Sequence, residues 1–133
     1  MKVYVFGNID HPEDNLSFKT AALLQKEHKD IDFIFVQPNE DVPFVGEERV
    51  VILDVVQGID IITVIDEKQL HNLILSPRNT VHDMDLAFQL RYLKKLGKLH
   101  KISIIGLPYG KEVDYDSLHS ILRKLVAQDI QGS

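Results

Sequence analysis

Cysteine is absent from the 133 residues, which excludes disulfides, thiolate zinc sites, iron–sulfur clusters and a thiol nucleophile. Any metal must therefore be held by His, Asp or Glu. An excess of positive charge is also lacking. The formal net charge is −5 and the Lys and Arg residues are scattered, so the basic face that a phosphate backbone selects is not there and nucleic acid is not an expected partner. No apolar run approaches the roughly 20 residues that a membrane-spanning helix needs, and the stretch from Met1 to Gly7 is too short for a signal h-region. A cytoplasmic location with no membrane partner is expected. No Gly-x-Ser-x-Gly elbow surrounds Ser17, Ser76, Ser103, Ser117 or Ser120, and no glycine-rich loop is built to cradle phosphates. Serine hydrolysis and nucleotide-dependent activity therefore rank low.

What is present is a hydrophobic fraction of 44%, enough to build a core without covalent staples. One compact domain spanning 1–133 is expected. Val3 to Phe6 is a β-branched and aromatic run closed by Gly7-Asn8. After a polar loop, Ile9 to Glu13, the residues Leu16, Ala21, Ala22, Leu23 and Leu24 supply the apolar face of a helix that ends in the charged segment Lys26 to Asp30. Ile31 to Val36 reads as a second strand. Val50 to Val56 is almost continuously apolar, as suits a strand covered on both faces at the centre of a sheet. Ile59 to Ile65 reads as another strand, with a short helix possible over Lys68 to Leu75.

Thr80 and Asp83 have capping-box spacing ahead of a helical face made by Leu86, Ala87, Leu90 and Leu93, which Gly97 stops. Lys101 to Gly106 is a last central-type strand. Leu118, Ile121, Leu122, Leu125 and Val126 mark a final amphipathic helix. Strands alternating with helices predict a three-layer αβα sandwich around a mainly parallel sheet, with right-handed crossovers. Ligands then belong at the carboxyl ends of the strands, just after Phe6, Leu53 and Ile105.

Three residues can converge there: Asp14 beyond the first strand, Asp54 at the end of the most apolar strand, and His82 in the first turn of a helix. Two carboxylates and one imidazole form a mixed ligand set for Ni²⁺, Zn²⁺, Mn²⁺ or Fe²⁺ with positions open to water or substrate. A helix N-terminus keeps an imidazole in its neutral, metal-binding form. Each residue also has a plain structural reading. Asp14 suits a helix start, Asp54 suits a strand-end turn, and His82 suits an early helical position. Asp10, His11 and Glu13 crowd the same loop and read as solvated. His28, His100 and His119 read as surface or boundary residues without matched partners.

Gly7-Asn8-Ile9, the acidic pair Glu13-Asp14, the strand ending in Asp54, Thr80-Val81-His82-Asp83-Met84 and the strand Ile102 to Gly106 with Leu107-Pro108 occur in one order. In that order and spacing the chain resembles the nickel–iron hydrogenase maturation proteases over most of its length. The resemblance implies an endopeptidase that removes a C-terminal extension from the precursor of a hydrogenase large subunit, and a monomer is expected. It acts after Ni²⁺ has been inserted, so that the nickel is presented by the substrate and contacted by Asp14, Asp54 and His82. The chain departs from the family's pattern at Gln37-Pro38-Asn39-Glu40-Asp41, where an Asp-Gly-Gly-Thr/Ser segment is usual, and at Asn15 and Ser17, which stand in place of glycines. Two other classes follow from the same residues. One is a metal-binding or hydrogenase-assembly module that cuts nothing. The other is a phosphoacceptor receiver domain with Asp54 as acceptor, although Gly7-Asn8 and Leu107-Pro108 stand where that class carries acidic residues and a Lys.

Overall fold

The fold is taken from a computed structural model that describes residues 1–7, 15–37, 42–70 and 81–131, apart from the side chains at 81–85, 87 and 88. Among the described residues, five strands and three longer helices follow one another in the order β1 (Lys2–Phe6), α1 (Leu16–Glu27), β2 (Asp32–Val36), β3 (Arg49–Val56), β4 (Thr63–Asp66), α2 (Val81–Lys95), β5 (Lys101–Pro108) and α3 (Tyr115–Gln131). They form one sheet in the order β2-β1-β3-β5-β4. β1, β2, β3 and β5 are parallel, and β4 pairs antiparallel with β5 at the edge. The architecture is α/β with a mainly parallel sheet, as the alternation of elements predicts.

Period-two side-chain alternation splits the core into two layers. Val51, Leu53 and Val55 of β3 join Val3, Val5, Ile105 and Leu107 against Phe18, Ala21 and Leu24 of α1 and Leu118 and Leu122 of α3. Val50 and Ile52 join Tyr4, Phe6, Ile102 and Ile104 on the opposite face, against Leu86, Leu90 and Leu93 of α2. The three layers are thus α1 with α3, the sheet, and α2. Val50 to Val56 is buried without interruption, because β3 has strands on both edges and helices on both faces. That is the environment its apolar run requires.

Several boundaries differ from the sequence reading. The strand expected over Ile59 to Ile65 is confined to Thr63–Asp66, and Ile61 is 74% exposed. The segment's apolar residues belong to a turn and to an edge strand that is only partly buried. β5 continues past Gly106 to Pro108. In α1 the buried residues are Ser17, Phe18, Thr20, Ala21 and Leu24, while Ala22 and Leu23 face outward. Two hydroxyl residues occupy the face that apolar periodicity assigned elsewhere, and Ser17 is accommodated there because its hydroxyl donates to the Phe6 carbonyl. Of the short helix expected over Lys68 to Leu75, the described part is a 3-10 turn at Glu67–Gln69 followed by Leu70 in helical conformation, and the rest lies outside the described residues. The expected Thr80–Asp83 capping box also lies outside them.

Candidate active site

Asp54 lies near the carboxyl end of β3 and is 7% exposed. Its neighbours Leu53 and Val55 belong to the α1–α3 layer and Ile52 to the α2 layer, so alternation puts Asp54 on the α2 side. A carboxylate this buried needs hydrogen-bond donors. One is the backbone N–H of Val55, which donates to Asp54 Oδ1 at 2.8 Å.

Directly across from Asp54, on β5, stands Gly106. A Cβ at this glycine would come within 3.0 Å of Val56 Cγ2, 3.3 Å of Ile59 Cδ1 and 3.3 Å of the Thr63 carbonyl oxygen. The absence of a side chain at 106 therefore lets β4 and the turn after β3 close over this end of the sheet. The sequence reading did not single out Gly106. An isolated glycine within an apolar strand, Ile104-Ile105-Gly106-Leu107, is the usual mark of a close backbone approach and was the available signal.

His82 occupies the first turn of α2. It stands four positions before Leu86 and eight before Leu90, both buried against the sheet. The short link from Lys95 to Lys101 returns α2 to the start of β5, and α2 consequently runs opposite to the parallel strands. Its first turn therefore lies at their carboxyl end, on the same face as Asp54. The ring of His82 is outside the described residues. Asp14, Asp10, His11 and Glu13 are outside them as well, but the flanking positions Gly7 and Asn15 both lie at the carboxyl end of β1, where Ser17 fastens the start of α1 to Phe6. The amide oxygen of Asn15 is buried without a hydrogen-bond partner among the described residues. No group of three His, Asp or Glu residues among those described is arranged to hold a metal ion.

The turns around this end are polar and apolar by turns. Tyr109 donates its backbone N–H to the Val56 carbonyl at 3.2 Å, tying the exit of β5 to the exit of β3. Lys111 Nζ meets Asp60 Oδ1 at 2.7 Å and holds that carboxyl below its ordinary pKa. Ile61 and Tyr109 are exposed beside this ion pair, 74% and 41% respectively. The antiparallel β4 also separates the sheet from the all-parallel order of receiver domains.

The histidines outside this end require a correction. His28 and His119 are boundary residues as expected, but they are not without partners. His28 Nε2 lies 2.7 Å from His119 Nδ1, and His119 Nε2 lies 3.0 Å from Glu27 Oε2. A separation of 91 residues gives no local pattern from which the pairing could be read. His100 is exposed.

No helix among the described residues is long and apolar enough to cross a membrane. No protein-family model matches the sequence, and no curated protein matches it. Solved structures do. The hydrogenase maturating endopeptidase HybD from E. coli superposes with a TM-score of 0.68 at 12% identity, covering 100% of this chain and 94% of that one. An endopeptidase from Escherichia coli gives a TM-score of 0.58 at 16% identity over 81% of this chain and 74% of that one. The hydrogenase 2 maturation peptidase of a Thaumarchaeota archaeon gives 0.53 at 19% identity over 96% and 98% of the two chains. At these identities the likeness is one of fold, and the chain has the fold of the hydrogenase maturation endopeptidases.

Proposed function

We propose that this chain is an endopeptidase that removes the C-terminal extension of a nickel–iron hydrogenase large subunit once nickel has been inserted. The observation that carries the reading is the buried carboxylate of Asp54. It stands at the carboxyl end of the central strand, on the face covered by α2, and His82 lies in the first turn of that helix. The fold shared with hydrogenase maturation peptidases supports the same reading, and so do the sequence elements around Gly7, Asp14, Asp54 and His82.

In this reading the nickel belongs to the substrate. Asp14, Asp54 and His82 contact it, two hard carboxylates and one borderline imidazole forming an acceptable set for Ni²⁺. The Val55 N–H donates to Asp54 Oδ1 and fixes the carboxylate's orientation. The start of α2 favours a neutral imidazole at His82. Recognition of metal by groups on three separate elements confines cleavage to precursor already loaded, and hydrolysis of the nearby peptide follows by polarisation of its carbonyl or activation of a water. The protein acts as a monomer in the cytoplasm.

The test is incubation of the purified protein with nickel-loaded and nickel-free large-subunit precursor from the same source, scored by mass spectrometry. Loss of a C-terminal peptide from the loaded precursor alone, abolished by Asp54→Ala and by His82→Ala, supports the proposal. An intact loaded precursor overturns it, and retained binding of that precursor would then favour the non-cleaving assembly role.

A further inference from the structure

We propose that the contact between His28 and His119 is a pH-sensitive latch joining the C-terminus of α1 to the first turns of α3, closed while the pair holds at most one added proton and released by a second. It is separate from the candidate active site and does not depend on the peptidase reading. His28 is the C-cap residue of α1, and His119 lies near the start of α3. His28 Nε2 stands 2.7 Å from His119 Nδ1. The ring centroids are 4.9 Å apart and the planes are inclined by 24°. That centroid separation is close to the nitrogen–nitrogen distance extended by the two ring radii, so the rings meet edge to edge, with the hydrogen bond along the line between them.

The hydrogen positions follow from the neighbours. Glu27 Oε2 lies 3.0 Å from His119 Nε2, and a carboxylate only accepts, so that nitrogen carries a hydrogen. In the neutral ring the lone pair is then on His119 Nδ1, and His28 Nε2 donates to it. One added proton leaves this bond in place. On the outer nitrogen of His28, Nδ1, it turns the donor into a cation and strengthens the bond. A second proton has only His119 Nδ1 to occupy, the acceptor of the bond. Two N–H groups then face each other and both rings are positive, so the bond is lost and the rings separate.

The groups around the pair set where this happens. Glu27 from α1 and Asp30 from the turn after it favour a charged His28, whereas Arg123 of α3 opposes it. Asp116 lines the same cavity of about 390 Å³, and the Tyr115 ring lies 6.4 Å from that of His119. For His28, burial and then His119 outweigh the two carboxylates and hold its pKa below the ordinary 6.5. A base whose pKa is lowered by a contact supports that contact while neutral. The contribution is whole above 6.5 and declines as pH falls from there towards the lower value of the closed pair. Release is local, because Leu24, Leu118 and Leu122 remain buried in the core beneath the two helices.

NMR on the full chain from about pH 8 to about pH 5, the range in which imidazoles change charge, reads the ring nitrogens and amide exchange together. His28 and His119 are expected to titrate as a coupled pair in two steps. The amides of His28 and Ile31, bonded to the Leu24 and His28 carbonyls, should exchange faster relative to that of Leu122. After correction for the intrinsic rate, the rise should reach up to about tenfold for each pH unit below 6.5. His28→Gln should abolish it, because the amide donates to a neutral His119 and, turned over, accepts from a charged one. Glu27→Gln keeps an acceptor for His119 Nε2 but removes the charge that favours protonation, and should move the rise to lower pH. Independent titration of the two rings with no rise at His28 and Ile31, or a rise that persists unchanged in His28→Gln, overturns the latch.

Discussion

Asp54 and Gly106 are register partners on adjacent parallel strands, so the buried carboxylate and a strand position with little room for a side chain sit side by side. A Cβ at position 106 would press on Val56, Ile59 and the Thr63 carbonyl. The Thr63 oxygen is backbone on the edge strand and yields only if β4 moves. Gly106→Ala should therefore destabilise the chain by about 1–3 kcal/mol, the usual cost of overpacking, and impair processing more than a distant change of equal cost. Urea unfolding beside the precursor-cleavage assay would show both. A variant with unchanged stability would mean that the β4 contact is loose.

Asp54 itself should separate stability from activity. Asn keeps an oxygen able to accept the Val55 N–H, while it removes a buried charge whose desolvation opposes folding. Asp54→Asn is expected to keep or raise Tm, and to lower cleavage of loaded precursor by about two orders of magnitude or more. Functional carboxylates commonly show this exchange of stability for activity. A clear fall in Tm together with full cleavage would make Asp54 a structural residue.

The layers were legible in the sequence where burial is complete on both sides. Val50 to Val56 has no exposed face to interrupt it, and Leu118, Ile121, Leu122, Leu125 and Val126 repeat at the helical period because one face of α3 is packed and the other wet. Legibility fails where burial is partial or pairing is distant. β4 is an edge strand that is only partly buried, so its alternation is weak and nothing local fixes its antiparallel direction. In α1, Ser17 and Thr20 are buried while Leu23 is half exposed, and hydropathy alone orients such a helix wrongly. Asp54 was visible as a charge in an apolar run. Gly106 acquires meaning only when β4 is folded over it, and the His28–His119 pair only when α1 meets α3.

The opposite face of β1 is held by an aromatic cluster whose polar handle can be tested singly. Phe44 is fully buried and meets the rings of Tyr4 and Phe6 edge-on at centroid distances of 5.2 Å and 6.2 Å. The Tyr4 hydroxyl donates to Glu47 Oε1 at 2.6 Å, and burial, then that bond, push its pKa up. Tyr4→Phe preserves the ring packing and removes the bond. It should cost about 1–2 kcal/mol in urea unfolding, within the range for a hydrogen bond to a charged group that is partly exposed. Truncating the anchor itself, Phe44→Ala, should cost about 3–5 kcal/mol through the cavity it leaves.

The start of α3 supplies a prediction in pH. Asp114 precedes the helix, and its carboxylate accepts from the Ser117 backbone N–H at 3.2 Å and from the Ser117 hydroxyl at 2.8 Å. This is how an N-cap satisfies an otherwise unpaired first-turn donor. These bonds hold the Asp114 carboxyl below its ordinary value of 3.8. A carboxyl whose pKa is depressed by folding stabilises the folded state while it is ionised. The contribution is fully present above 3.8 and fades as pH falls through the lower folded value. Asp114→Ala should thus melt earlier than the wild type at pH 7, and the gap should narrow as both are taken below pH 4, with CD melts at each pH as the measurement. A gap that stays constant into acid would mean that Asp114 acts through packing and not through its charge. Because α3 carries His119, loss of this cap should also loosen the His28–His119 contact, seen as faster amide exchange over the first turn of α3 than over its buried Leu122.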